Sequence, residues 1–310
     1  MDVFVVGATG ELGRPGVREI VAAGHRVRGV ARTPEKAALL EGLGAEPVTV
    51  DVFDRDALAK EVDGADALLH LATRIPPVKD MRKPEAWTEN NRLRSTLTPA
   101  LVDVALERGI GTFVGESITF TYPDRGAEWI DESIPIPANP ALGSVLDLER
   151  EIDRFHAAGG RGVTLRFSSF YGPTAESLGA QLRYARWHLA MVSGSADGYQ
   201  SSIHTDDAGA AVAAALNAPA GVYNVSDDEP LTRREHVDAF ADAFGLGRLR
   251  IVPTWMQRIG AGRTGAATAR SQRVRNDRFK RATGWAPRHP SAREGWAATA
   301  AAWNREHSNA

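Results

Sequence analysis

The segment VFVVGATGELGRPGV, residues 3–17, constrains the fold more than any other part of the 310-residue chain. An apolar run comes first, and Gly7, Gly10 and Gly13 follow in the spacing GxxGxxG before a helical pattern begins. The first glycine lets the chain turn tightly out of a strand, the second lets backbone approach a pyrophosphate, and the third lets the helix pack close to the sheet. The segment therefore predicts a dinucleotide-binding turn, with the phosphates at the helix N-terminus.

The first half of the chain alternates apolar runs with helical patterns, and this alternation predicts a parallel sheet covered by helices on both faces. One helix is predicted over Arg92–Arg108, with Arg92 and Arg94 on a solvated face. In the second half, helices are predicted over Gln181–Met191 and within Ile203–Ala218. The expected fold class is α/β: a Rossmann-type doubly wound parallel sheet with a smaller C-terminal substrate-binding domain.

Charge and residue usage exclude several classes of function. The net charge is −2, so the chain has no excess of positive charge that would attract nucleic acid or an anionic membrane. The chain has no cysteine, which excludes disulfides and thiolate zinc sites and fits a reducing cytoplasm. No apolar run is long enough to span a bilayer, and the histidines lack the spacing of metal ligands. We expect a cytoplasmic protein with a small-molecule substrate, no nucleic-acid or membrane partner and no metal.

The end of the second predicted strand favours NADP(H) over NAD(H). NAD-selective sites place a carboxylate there for the ribose hydroxyls, whereas this chain has Arg32, whose guanidinium suits a 2′-phosphate. Arg14, directly after Gly13, is a second candidate for that phosphate. Asp51, after the third strand, could accept a hydrogen bond from the adenine amino group or cap the following helix.

Several motifs in order resemble the extended short-chain dehydrogenases/reductases, the NAD-dependent epimerase/dehydratase family. They are GATGELG, Leu69–Ala72, Arg166–Pro173, Ser202–Ala208, Gly221–Val225 and Gly284–Pro287. The resemblance implies a Rossmann domain over residues 1–166 and 200–225, and a substrate-binding domain over 167–199 and 226–310. It also implies that two Rossmann-domain helices, one of them Leu146–Ala158, could form a homodimer.

The expected cofactor-binding residues combine the glycine turn with the ends of the neighbouring strands. They are Gly7, Thr9, Gly10, Glu11, Leu12, Gly13, Arg14, Arg32, Asp51, Val52, Leu71, Ala72, Thr73, Phe167, Ser168 and Ser169.

The resemblance also implies a tyrosine, a lysine and a serine or threonine that handle the substrate's proton, and here the chain departs from the pattern. In the segment Asn139–Arg150, the tyrosine position holds Ala141 and the lysine position holds Val145. If Tyr122 anchors the preceding motif, the hydroxyl position falls on Ile118. Neither alanine nor valine can exchange a proton, so an ordinary epimerase or dehydratase is not expected.

The remaining candidates for catalysis are Ser117, Thr119 and Tyr122. The proton could come from Tyr122 or Tyr171, from a water ordered by Ser117 or Thr119, or from an acidic group of the substrate itself, such as a phenol. Positioning alone can lower the barrier to hydride transfer by several kcal/mol. We therefore expect an NADPH-dependent ketoreductase of a bulky, aromatic secondary metabolite, with a non-catalytic NADP(H)-binding redox sensor as the alternative.

Overall fold

The computed structural model describes residues 1–76, 80–137, 139, 142–190, 192–252 and 267–308, with the backbone alone for 306–308. Ala141, which the family resemblance assigns to the tyrosine position, lies outside the described residues.

Seven strands form one sheet, and every neighbouring pair in it is parallel. The strands are β1 (Asp2–Val6), β2 (Arg26–Val30), β3 (Glu46–Val48), β4 (Ala67–His70), β5 (Thr112–Ile118), β6 (Arg161–Phe167) and β7 (Gly221–Val225). Their order in the sheet is β7-β6-β5-β4-β1-β2-β3, which reverses direction between β1 and β4. Ligands of open α/β sheets bind at the carboxyl ends of strands beside such a reversal, so the glycine turn after β1 lies where a dinucleotide would bind.

Helices cover both faces of this sheet, which confirms the doubly wound architecture. Helices α1 (Gly13–Ala22) and α8 (Thr205–Ala215) pack into one apolar core. Helices α3 (Arg55–Glu61), α5 (Thr98–Glu107) and α6 (Gly143–Ala157) pack into the other. Helix α2 (Pro34–Gly42) lies between β2 and β3 in the chain.

Residues after the sixth sheet strand build a third apolar core around Trp296, as expected for a second, smaller domain. Phe279 and Trp285, however, belong to the core of the sheet although they fall within the predicted range 226–310. The division into two domains stays a prediction.

The remaining helices of this region are α7 (Leu178–Ala185), α9 (Arg233–Ala243), α10 (Asp277–Thr283) and α11 (Ala292–Ser308). Short paired strands complete it: Ser169–Tyr171 with Ser202–His204, Leu189–Ala190 with Arg250–Ile251, and Tyr199–Gln200 with Leu231–Thr232. Trp129–Ile130 pairs with Arg273–Val274.

Two predicted helices were wrong in their bounds. The helix predicted over Gln181–Met191 ends at Ala185, because His188 has a positive φ of 54° and the chain then enters a strand. The helix predicted from Arg92 begins at Thr88 as α4 (Thr88–Arg92) and contains a π-helical turn over Leu93–Leu97. This turn inserts one residue into the helical repeat and changes the face on which the following side chains lie. The stretch Ile203–Ala218 does contain the predicted helix, which is α8 and follows the strand Ser202–His204.

None of the described helices is long and apolar enough to cross a bilayer.

Candidate active site

The glycine turn has the shape that its spacing predicts. Gly7 has a φ of 89°, and a Cβ on it would lie 2.5 Å from the amide nitrogen of Ala72. A Cβ on Gly13 would overlap the carbonyl oxygen of Gly7 and lie 2.6 Å from the carbonyl carbon of Ala8. Gly10 is different, because a Cβ there would meet a single atom of the described residues, the Gly7 oxygen at 3.3 Å. The first and third glycines thus serve the protein's own packing, and the second leaves a surface open to a phosphate.

An α-helix leaves its first amide groups without intrahelical acceptors, and these groups attract anions. Helix α1 begins at Gly13, three residues after Gly10, and the Arg14 amide in its first turn donates to the Gly10 oxygen at 3.1 Å. The turn therefore fits the diphosphate of a dinucleotide.

Arg32 and Arg14, the two candidates for a 2′-phosphate, have different surroundings. Arg32 is exposed directly after β2, and its side chain has no ion-pair partner in the part of the chain that the structure describes. Arg14 Nη2 instead donates to the backbone oxygen of Thr174 at 3.5 Å, in the loop after Ser169–Tyr171. These contacts favour Arg32 as the residue that would distinguish NADP(H) from NAD(H).

Replacing Arg32 with alanine is expected to weaken NADPH binding about 10- to 100-fold and to leave NADH binding unchanged. A charge-assisted hydrogen bond contributes about 1.5–3 kcal/mol, and only NADPH carries the phosphate that would accept it. Titration calorimetry with both cofactors measures the change. The matched control is Arg26→Ala, at the other end of the same strand, where the guanidinium pairs with Asp2 and Glu46. An equal loss for both cofactors would contradict the prediction.

Asp51 is exposed and does not cap the helix that follows it. Asp54 is the N-cap residue of α3 and accepts from the amide of Ala57 at 3.0 Å, whereas Asp51 accepts from the amide of Phe53. Its contact with adenine stays a prediction.

The other expected cofactor residues lie at the carboxyl edge of the sheet or directly after it. Leu71 is buried and its amide donates to the oxygen of Val6, and the backbone of Leu71 and Ala72 lies directly against Gly7. Thr73 follows them and is exposed. Phe167 is buried and packs against Phe170, which leaves its backbone as the part that could line a cleft. Ser168 has a buried hydroxyl that finds no hydrogen-bond partner among the described residues. Thr9, Val52 and Ser169 are partly exposed.

The positions that the family resemblance assigns to the serine and the lysine meet in one apolar cluster. Val145, in the first turn of α6, is 1% exposed and packs with Leu142 and Ala267. Ile118, the last residue of β5, packs against the same cluster. The two positions are 27 residues apart in the chain, and the fold brings both to this cluster. Neither of these side chains can donate or accept a proton.

A buried network next to this cluster holds Ser117 and Tyr122. Arg166 donates to both carboxylate oxygens of Glu149, at 2.8 and 2.6 Å, and to the hydroxyl of Tyr122 at 2.8 Å. Ser117 Oγ donates to Glu149 Oε1 at 2.5 Å, and Tyr122 OH donates to Asn224 Oδ1 at 2.9 Å. Burial raises the pKa of Tyr122 above its ordinary value, although Arg166 opposes this rise. A catalytic role for Ser117 and Tyr122 stays a prediction, and these surroundings argue against it.

The other candidate hydroxyls are also enclosed. Tyr171 is 1% exposed, and its hydroxyl lies 3.0 Å from Asp227 Oδ2 and 3.2 Å from the oxygen of Ser291. Thr119 is buried at the start of the turn Thr119–Thr121, directly after β5. Its catalytic role stays a prediction.

A second buried charged group was missed by sequence reasoning. Arg94, expected on a solvated face, is 2% exposed, and its Nη2 lies 3.5 Å from Glu116 Oε1. The π-helical turn that contains Arg94 explains this difference, because it redirects the side chain toward the sheet. His70 lies beside the pair: burial, and then the charge of Arg94, lower its pKa to about 4, so the neutral ring donates from Nε2 to the oxygen of Leu93.

One group of potential metal ligands occurs among the described residues. His204, Asp207 and His289 offer ligand atoms within 4.8 Å of one another. Asp207, however, already accepts from the amides of Arg288 and His289 and binds the His289 ring at 2.8 Å. These contacts hold the segment before α11 against α8. The absence of a metal ion from this group stays a prediction.

Comparisons with known proteins agree on the fold and on the family. Residues 3–226 match the model of the NAD dependent epimerase/dehydratase family. The chain is 32% identical over 307 residues to a 3-diazoavenalumate denitrifying reductase from Streptomyces sp., an alignment that covers 95% of this chain and 99% of that protein. Over 144 residues it is 31% identical to 4-hydroxy-2-methyl-3-oxo-4-farnesyl-3,4-dihydroquinoline-1-oxide ketoreductase from Stigmatella aurantiaca, which covers 46% of this chain and 41% of that enzyme. The dTDP-glucose 4,6-dehydratase DesIV from Streptomyces venezuelae has the same fold, with a TM-score of 0.81 over 100% of this chain and 98% of that one, at 22% identity.

Proposed function

The chain belongs to the NAD-dependent epimerase/dehydratase family, and from that premise we propose that it is an NAD(P)H-dependent reductase of an aromatic secondary metabolite, with NADP(H) preferred. The observation that carries this proposal is the pairing of a complete glycine turn with the apolar cluster of Ile118, Leu142, Val145 and Ala267. The turn can hold the cofactor, and the apolar positions provide no proton. A substrate that accepts a hydride without needing a side-chain acid fits both features.

A diazo group on an aromatic ring meets this requirement. When the ring carbon of an arenediazonium accepts a hydride, the carbon–nitrogen bond breaks and dinitrogen leaves with the bonding electrons. The product is the unsubstituted arene, and no proton is consumed. The relative from Streptomyces sp., similar to this chain over nearly its whole length, is by name a denitrifying reductase of a diazo compound. We therefore propose an aromatic diazo compound as the first substrate class.

An aromatic ketone is the second candidate, and the partial similarity to the ketoreductase from Stigmatella aurantiaca favours it. A ketone oxygen must gain a proton when its carbon accepts the hydride. The enclosed hydroxyls of Ser117, Tyr122 and Tyr171 make a donor from these side chains difficult, so a neighbouring phenol of the substrate would protonate the oxygen.

The chain's own residues would bind the cofactor, orient it and exclude water. The bound cofactor supplies the hydride. The amides at the start of α1 and the open side of Gly10 would hold the diphosphate, and Arg32 would hold the 2′-phosphate. The apolar cluster would keep water from the reacting carbon, which protects an electrophile from hydrolysis. A homodimer, a cytoplasmic location and the absence of a nucleic-acid partner stay predictions.

A deuteride trace tests the proposal. The protein is incubated with NADPH that carries deuterium at the transferable position, for each face of the ring in turn, together with a hydroxyarenediazonium acid or a hydroxyaryl ketone. Mass spectrometry is expected to find one deuterium on the arene carbon that carried the diazo group. Omitting the protein controls for direct reduction of the diazonium by the cofactor.

The product distinguishes the alternatives. Deuterium on a carbinol carbon, and none on the arene, would establish the ketoreductase. A third outcome is tight NADPH binding with no deuterium transferred to either probe or to any compound in an extract of the producing organism. This outcome would contradict both reductase candidates and favour a redox sensor.

A further inference from the structure

The segment of residues 267–272 contributes one member of the apolar cluster at the end of β5. Ala267 is 2% exposed and packs with Leu142 and Val145, which lie at the start of α6. Its side chain is a single methyl group, and so small an apolar contact does not hold a segment in place by itself. Other contacts must therefore fix the position of Ala267.

The side chain of Arg270 joins this segment to the turn after β5. Its Nη1 donates to the backbone oxygen of Tyr122 at 2.8 Å and to that of Phe120 at 3.3 Å. Gln272 Nε2 donates to the same oxygen of Tyr122 at 2.8 Å. Phe120 and Tyr122 follow Ile118 directly in the turn that leaves the cluster, so these bonds hold the segment beside the cluster.

A second arginine holds the same segment from helix α9. Arg233, the first residue of α9, is 1% exposed, and its Nη2 donates to the backbone oxygens of Arg270 at 2.7 Å and Thr268 at 3.0 Å. Two glycines leave room for its guanidinium: a Cβ on Gly198 would overlap Nη1, and a Cβ on Gly194 would lie 2.9 Å from Cζ. A continuous series of contacts thus runs from α9 through the segment to the end of β5.

These arginines bind backbone rather than acids. Among the described residues, the hydrogen bonds of both side chains end on backbone oxygens. Burying the charge of Arg233 in this way is costly unless its donors are satisfied. A guanidinium carries five donors in one plane and can bind several oxygens at once, which fixes the backbone that provides them. The arrangement therefore suits a role in holding the segment at a defined position.

We propose that Arg270, itself held by Arg233, is a positioning residue that keeps Ala267 in the apolar cluster and so keeps water from the substrate's reacting carbon. This inference rests on the proposed function and adds the residues that hold one side of its site. Within the described residues, none of the bonds from these two side chains reaches the glycine turn, so cofactor affinity is expected not to depend on them.

Water that enters the cluster would compete with the hydride for an arenediazonium. Its oxygen would bond to the ring carbon, dinitrogen would leave with the electrons of the carbon–nitrogen bond, and the water would lose one proton to solvent. The product would be a phenol, whereas hydride transfer gives the unsubstituted arene. The ratio of arene to phenol therefore reports how well the cluster excludes water.

A single-turnover reaction in water enriched in the heavy oxygen isotope measures this ratio, with NADPH saturating and the protein in excess over the hydroxyarenediazonium acid. Mass spectrometry separates the arene from a phenol that has gained the heavy oxygen. Arg270→Met is expected to lower the ratio about 10- to 100-fold, because a displacement of about 1 Å can cost about 100-fold in rate. The Kd for NADPH should stay unchanged, and Arg270→Lys, which keeps a charged donor, should regain part of the ratio. If the wild type reduces the hydroxyaryl ketone instead, kcat/KM replaces the ratio, with the same expected loss.

The matched control is Arg234→Met, on the same helix as Arg233. Arg234 is also partly buried, pairs with Asp238 and donates to the backbone oxygen of Leu249 at 2.9 Å, in the third apolar core. This variant should lose thermal stability but keep the product ratio. A wild-type ratio and kcat/KM in Arg270→Met, or an equal change in Arg234→Met, would overturn this inference alone. No reduction of either probe by the wild type would overturn the proposed function and this inference with it.

Discussion

Replacing Glu149 with alanine is expected to lower the free energy of unfolding by about 3–5 kcal/mol, the usual cost of removing one partner of a buried ion pair. Arg166 would keep its charge in the interior and lose both hydrogen bonds to the carboxylate. Ser117 would lose its acceptor at the same time. Burial alone would lower the pKa of Arg166, but the bonds to Glu149 outweigh this effect and raise it. Urea denaturation followed by circular dichroism gives the change in stability.

The matched control is Glu151→Ala, two residues further along the same helix. Glu151 pairs with Arg154 at 2.7 Å, with side chains 24% and 42% exposed. Such partly exposed pairs contribute about 0–1 kcal/mol, so the control should lose little. The double variant Glu149→Leu/Arg166→Met should regain much of the stability, since replacing both charges removes the unpaired one. Equal losses for the two single variants would contradict the importance of the buried network.

Replacing Gly10 with alanine is expected to leave the fold intact and to weaken NADPH binding about 100-fold, or about 2.7 kcal/mol. The added Cβ meets a single protein atom at 3.3 Å, so the free protein can accept it. The same Cβ would occupy the surface where backbone approaches the diphosphate. Titration calorimetry measures the affinity, and thermal melting of the free protein checks that the fold is retained.

Gly13→Ala and Gly42→Ala complete this comparison. The Cβ at Gly13 overlaps the protein's own turn, so the free protein should lose stability as well as affinity. A Cβ at Gly42, in α2, has no atom within 4 Å, and this variant should bind NADPH as the wild type does. Full NADPH affinity in a folded Gly10→Ala protein would show that the diphosphate binds elsewhere.

Local patterns predicted the parts of the site that are continuous in the chain. Motif spacing was enough to locate three features. They are the glycine turn, Arg32 at the position where NAD-selective sites have a carboxylate, and the apolar residues Ile118 and Val145. Such motifs determine backbone geometry within a few residues, which is why they can be read without a structure.

The buried ion pairs could not be predicted in this way. Arg94 and Glu116 are 22 residues apart, and they meet because a π-helical turn redirects one side chain. Glu149 and Arg166 face each other from a helix and a strand, and nothing local distinguishes them from solvated charges. One signal was present: Glu116 follows directly on the buried run Thr112–Gly115, and a charge at the end of such a run needs a partner in the fold.

The order of strands in the sheet has a consequence for how the chain is synthesised. Strand β5 pairs with β6 from Thr112 to Ile118, and Phe167, which ends β6, follows Ile118 by 49 residues. At about 5–20 residues per second, roughly 2–10 s pass before that edge of the nascent sheet can be paired. During this time the exposed edge contains Gly115, Glu116 and Ser117, and a glycine and a charge make a strand a poor template for pairing with other chains. The residues that become a buried polar network in the folded protein would thus also protect the growing chain from aggregation on the ribosome.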